Sequence, residues 1–162
     1  CCRVAPMKAE ITIETASEAD ADRITALFMA DMRDLGVSPK RAAMHGVATA
    51  AIADERIVVR VARQAGKTVG VLLANEMLSI KFPGRALWIE ELYVAPEARR
   101  QGLGRILVED LLDWALKHDY KGVELEAYRM NTAASILYRS VGFSRLARER
   151  YSFDLADWEL DD

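Results

Sequence analysis

Near its start, the stretch AEITIETA alternates apolar and polar residues, a period of two that fits a half-buried strand. The period then changes. Ile24, Leu27, Phe28 and Met32 recur at helical spacing behind Ser17, an expected N-cap. Glu18, Asp20 and Asp22 place negative charge in the first turn, where the helix dipole favours it, and Gly36 ends the element. SPKRAAMHGVATAAIADE predicts a second helix, capped by Ser38, with Pro39 at its first position and small alanines that allow close packing. RIVVRVAR and TVGVLLANEML return to strand patterning, with a hairpin turn at QAGK, and RALWIEELYV follows the break at Pro83 and Gly84. A glycine turn leads into GRILVEDLLDWALKH, whose Ile106, Leu107, Leu111, Leu112 and Ala115 share one face. KGVELEAY predicts a strand, NTAASILYRSVG a short helix and FSRLARERYSFDL a final strand region.

This order implies an α/β (α+β) fold: a mixed, mostly antiparallel sheet of about six to seven strands flanked by about four helices. Its first half is antiparallel, and at least one βαβ crossover follows. The 162 residues suit a single domain able to bury a core, and no repeat or linker divides them. Residues 1–6, CCRVAP, form a candidate non-native leader ahead of Met7, and residues 156–162 an acidic tail. Hydrophobic residues make up 51% and charged ones 29%, which argues against disorder. A net charge of -3 makes nucleic acid an unsuitable partner, and no apolar run approaches the roughly 18–20 residues that cross a bilayer. Cys1 and Cys2 are the only cysteines, adjacent at the start, so no disulfide framework is expected. A cytoplasmic protein is expected, without a membrane partner.

The stretch PEARRQGLGRIL joins a strand to a helix through two glycines and several arginines. A helix N-terminus leaves amides without partners and carries positive partial charge, so it suits an anion. Gly102 and Gly104 would let a phosphate approach, and a left-handed backbone at Gly104 would add a stability cost to its replacement, although an ordinary turn needs glycine too. The Gly-Lys-Ser/Thr ending of a P-loop is missing. The Gly102-x-Gly104-x-x-Leu107 spacing lacks the third glycine of a dinucleotide fingerprint.

A third reading accounts for more residues. RRQGLG fits the pattern Arg/Gln-x-x-Gly-x-Gly/Ala that holds the pyrophosphate of coenzyme A. LYVAPEARRQGLGRILVEDLL resembles the central motif of the GNAT superfamily of acyl-CoA N-acyltransferases. NTAASILYRSVGF resembles its companion, Asn-x-x-Ala-x-x-x-Tyr-x-x-x-Gly-Phe. The resemblance covers most of the chain and is strongest from Leu87 to Phe143. It implies a GNAT-like fold and acetyl-CoA as cosubstrate. The backbone of Leu92, Tyr93 and Val94 would meet the pantetheine arm. Arg99, Arg100, Gln101, Gly102, Leu103, Gly104 and Arg105 would surround the pyrophosphate. Asn131 would help hold the cofactor and is equally a candidate N-cap.

Acyl transfer from a thioester to an amine needs a base for the amine and a proton for the departing thiolate. Tyr138 matches the family's proton donor, with packing on its helix as the plainer role. Glu90 and Glu91 interrupt an apolar strand, where a carboxylate is costly unless paired or used. Alternation sends the two to opposite faces unless a bulge shifts the phase. Glu90 is the first choice for the base, by its match to members that acylate small amines; Glu91 is the other, and a water relay would need neither. His45 and His118 lack neighbours at ligand spacing, so no metal is expected. Trp88, Trp114 and Trp158 are expected in the core or at its boundary. The expected substrate is the primary amine of a small molecule. Asp31, Asp34, Glu76 and Glu90 on the acceptor side lean toward a cationic one, with a peptide N-terminus or an amino acid still open. The protein could pair as a homodimer. The alternative function is a catalytically weak acyl-CoA-binding or protein-interaction module of the same fold.

Overall fold

The strand patterns assemble into one five-stranded sheet, ordered β1-β2-β3-β4-β5, in a computed structural model that describes residues 10–158. β1 (Ile11–Thr15), β2 (Ile57–Gln64), β3 (Lys67–Ser79) and β4 (Gly84–Val94) pair antiparallel in sequence order. β5 (Val123–Leu125) joins β4 in parallel after the crossover helix α3 (Leu103–Lys117). Cys1, Cys2, the leader and residues 159–162 of the tail lie outside the described residues.

Helices cover both faces, as the apolar stripes require. On one face, Leu103, Leu107, Val108 and Leu111 of α3 bury themselves against Ala62, Leu72, Leu87 and Ile89. α4 (Thr132–Val141) packs beside α3 through Leu137, Tyr138 and Val141. On the other face, α1 (Ala21–Asp34) contributes Ile24, Leu27 and Phe28, and α2 (Arg41–Ala53) contributes Ala48 and Ala51. These meet Val59, Val61, Val71, Leu73 and Tyr93 from the sheet.

Three local expectations change. Lys40 keeps an extended backbone (φ -70°, ψ 131°), so α2 starts at Arg41 and not at Pro39. Ser17 opens a short 3₁₀ turn, Glu18–Asp20, ahead of α1, and its N–H donates to Asp20 Oδ2 at 2.9 Å. Asp20 is buried and paired with Arg63, Nη1 to Oδ1 at 2.8 Å, which satisfies its charge inside the protein.

The expected final strand does not form: among the described residues the sheet has five strands, and residues 143–154 carry no regular element. A period-two pattern becomes a strand only when a ladder partner takes its N–H and C=O groups. β5 is short and pairs only with β4 among the described residues, and Tyr151 and Phe153 stay largely exposed. Trp158, expected near the core, is also mostly exposed.

Candidate active site

β4 pairs with β5 from Leu87↔Val123 to Ile89↔Leu125 and then separates from it. At that point β4 also bulges against β3, where Leu73 faces Glu91 and Ala74 faces Ile89, leaving Glu90 without a partner. The extra residue reverses the strand's phase. Before it, Leu87 and Ile89 pack under α3; after it, Leu92 and Val94 take that face, and Tyr93 joins the α1 and α2 core. Strict alternation would have sent Glu91 under α3. Instead Glu91 lies half-buried toward α1, within hydrogen-bonding reach of Asp31, and Glu90 is exposed.

A cleft of about 530 Å³ opens where the two strands part. Its walls are the end of α1 (Asp31, Met32), β4 from Ile89 to Leu92, the chain after β5, Asn131 ahead of α4 and Tyr138 on it. Both glutamates line it. Burial, then the neighbouring charge and hydrogen bond of Asp31, push the Glu91 carboxyl from its ordinary 4.5 up to about 8. Burial also raises Asp31, with the charge of Asp34 adding to it and the hydrogen bond of Glu91 opposing it. Tyr138 is pushed up to about 12, first by burial and then by the negative charge of Glu91, so its hydroxyl stays protonated. Its ring meets Phe143 edge to face at 5.9 Å between centroids, which holds the phenol in place.

The turn ahead of α3 carries free backbone amides of its own. Arg100 (φ 60°) and Gly102 (φ 77°) are both left-handed, and α3 starts at Leu103. Ile106 is the first amide of α3 with a carbonyl to donate to, Gly102 O at 3.0 Å, which leaves the amides of Gly102 to Arg105 open to an anion. A Cβ on Gly102 would meet nothing within 4 Å, so glycine serves its backbone angle there. Gly104 is helical and not left-handed; a Cβ there would stand 3.1 Å from Leu137 Cδ1, so the glycine lets α4 approach α3.

Most side chains of the turn are already engaged. Arg99 donates from Nε to Val94 O at 2.8 Å, lies over the Tyr93 ring at 5.2 Å and pairs with Asp34 at 3.5 Å. Tyr93 donates its hydroxyl to the same Asp34 carboxylate, at 3.2 Å. Arg105 pairs with Glu109 at 2.7 Å, and Gln101 accepts from Gln64 Nε2 at 2.7 Å. Among the described residues, Arg100 is the arginine of the turn without an ion pair. Asn131 caps α4, its Oδ1 accepting from Ala134 N–H at 3.0 Å, while also lining the cleft. Glu76 is committed to Tyr120 and Arg85. Sequence patterning pointed to Asp31 only as acceptor-side charge. Its pairing with Glu91 follows from the bulge.

Among the described residues, no group of three His, Cys, Asp or Glu is placed to hold a metal ion, and no helix is long and apolar enough to cross a membrane. Residues 21–143 match the sequence model of the Acetyltransferase (GNAT) family. The chain belongs to that family. Over 93 residues this GNAT chain is 29% identical to N-acetyltransferase family 8 member 3 of Mus musculus, covering 57% of this chain and 41% of that protein. Over 68 residues it is 38% identical to the ribosomal protein bS18-alanine N-acetyltransferase of Escherichia coli (strain K12), covering 42% and 46% respectively. The chain thus spans less than half the length of these curated relatives. The GNAT fold is shared with a solved aminoglycoside N-acetyltransferase, AAC(6')-Iy in complex with CoA. That likeness has a TM-score of 0.80 at 13% identity and covers 93% of this chain and 99% of that one.

Proposed function

We propose that this protein transfers acetyl from acetyl-CoA to the primary amine of a small cationic molecule, by direct attack, with Glu91 as the base and Tyr138 as the proton donor. The observation that carries this reading is the bulge at Glu90. It brings Glu91 to one cleft with Tyr138, where β4 has parted from β5. The residues present suit the cosubstrate. The edge of β4 beyond Ile89 is released from β5, so Leu92 and Tyr93 have backbone groups to offer an extended amide arm. The open amides of Gly102 to Arg105, with Arg100 beside them, suit a pyrophosphate.

Bound acetyl-CoA supplies the acyl group as a thioester. Everything else falls to the chain. Asp31, Glu90, Glu91 and Glu126 line the cleft and favour a cationic acceptor. An ammonium entering beside Glu91 opposes the effects that raise its pKa, so the carboxyl gives its own proton to solvent and is then free to accept one from the amine. The Asp31 and Glu91 pair then takes that proton. Tyr138 feels the charge of Glu91, and as Glu91 becomes neutral the phenol becomes a stronger acid for the departing sulfur. Incubating the full chain with acetyl-CoA and a panel of polyamines, aminoglycosides, amino acids and peptide N-termini tests the reading. Thiol release together with a singly acetylated polyamine or aminoglycoside is expected. No release above the buffer rate for every amine would overturn it.

A further inference from the structure

Among the described residues that line the cleft, Arg150 is the one cation. Arg150 belongs to the segment after α4, and among the described residues the stretch 144–153 makes no backbone-to-backbone hydrogen bond. Side chains hold that segment in place. Arg150 Nη1 donates to Glu126 Oε2 at 2.7 Å, and the guanidinium lies 5.5 Å from the centroid of the Trp88 ring. Trp88 Nε1–H in turn donates to Glu90 Oε2 at 3.1 Å. A carboxylate on one side, an indole face on another and a second carboxylate at the indole's N–H edge form a receptor for a guanidinium or an ammonium. The Arg150 side chain is 56% exposed and that of Glu126 is 42% exposed, so the contact is screened and weak enough to exchange.

We propose that Arg150 is a tethered competitor: its guanidinium occupies the subsite for the second positive charge of a polycationic acceptor, and such an acceptor displaces it. This rests on the acceptor cleft of the proposed function and names the chemistry that the cleft selects. Trp88 and Glu91 are three strand positions apart, about 10 Å at the usual rise, and the bulge shortens that distance. An amine reacting beside Glu91 therefore needs a second charge several methylenes away. Arg150 excludes weak monovalent cations from the subsite and yields to a flexible diamine, which makes it a determinant of specificity. A segment with no ladder of its own can retract without breaking the sheet.

Calorimetric titration of the full chain with diaminooctane and with octylamine tests this, since the two differ in the second charge. Arg150→Gln is expected to tighten diaminooctane about tenfold and to move octylamine by less than about twofold. Adding Glu126→Gln to that variant is expected to cancel the gain. Arg150→Lys keeps the charge and should bind both amines as the unaltered protein does. Unchanged or weaker diaminooctane binding in Arg150→Gln, an equal gain for both amines, or a gain that survives Glu126→Gln would each overturn the proposal. Loss of folding in Arg150→Gln would also overturn it, by making the contact structural. If the binding pattern holds while no acetyl reaches either amine, the subsite stands and the proposed reaction fails.

Discussion

Replacing Glu91 with glutamine separates the stability of its site from its chemistry. The native carboxyl is held at about 8 against an ordinary 4.5, so the folded protein binds that proton more tightly than the unfolded chain. Between those two values the native state carries the extra proton, and folding stability falls as pH rises. Full conversion of the difference gives on the order of 5 kcal/mol. Glu91 is only half-buried and one side of the cleft is open, so about 3 kcal/mol is the expected total, of which about 2 kcal/mol falls between pH 6 and pH 9. For a chain of this length that corresponds to about 4–8 °C in Tm. Glutamine has nearly the shape of the protonated acid, and its Nε2 can donate to Asp31 as the carboxyl does, but it does not titrate. Thermal unfolding followed by circular dichroism at closely spaced pH values is the assay. The unaltered protein should lose that amount from pH 6 to pH 9 relative to Glu91→Gln, and the variant should be the more stable at pH 9. Parallel curves for the two proteins would show that Glu91 is not held protonated, and the electrostatic account of the cleft would fall.

Other expectations follow from the same geometry. Tyr138→Phe keeps the ring against Phe143 and removes the hydroxyl, so turnover should fall by about 10² to 10⁴ with coenzyme A affinity unchanged; near-normal turnover with chemistry limiting would leave Tyr138 a packing residue. Gly104→Val presses on Leu137, where a Cβ alone would stand 3.1 Å away, and should weaken coenzyme A binding more than tenfold, about 1.4 kcal/mol, by calorimetry. Gly102→Ala meets open space but keeps a left-handed backbone, so it should lower stability by about 1 kcal/mol with a smaller effect on that affinity. Burial opposes ionisation of Asp20, but its bonds to Arg63 and Ser17 prevail and hold it below its ordinary 3.8, so its contribution is present at neutral pH and lost as pH falls through the native value. Asp20→Asn should therefore lower stability by about 3 kcal/mol at pH 7, read from the denaturation midpoint.

What could be read from the sequence was mostly local. Asn131 announces a helix start through a short-range cap, and the glycine turn before α3 shows an anion-suited terminus within a few residues. The carboxylate pair was less accessible. Glu90 and Glu91 stand out as charges in an apolar strand, but which one turns toward α1 depends on a bulge set by pairing with β3, far away in sequence. Arg99 reads as a phosphate ligand because it sits in the motif, yet Asp34, distant in the chain, takes its guanidinium. The pairing of Glu126 with Arg150 is equally non-local. The final strand pattern failed for the complementary reason. Tyr151 and Phe153 alternate as a strand would, but periodicity does not supply the neighbour that completes a ladder.

The most direct test of the account is the kcat of acetyl transfer for Glu91→Gln beside that for Glu90→Gln, at saturating amine and acetyl-CoA with chemistry limiting. The phase reversal at the bulge predicts a loss of about 10² or more for Glu91→Gln. Glu90→Gln should stay within about threefold in kcat, with its effect in KM, because its carboxylate is exposed and bonded to Trp88. The reverse ranking, or full kcat in both variants, would contradict the claim that the bulge makes Glu91 the base.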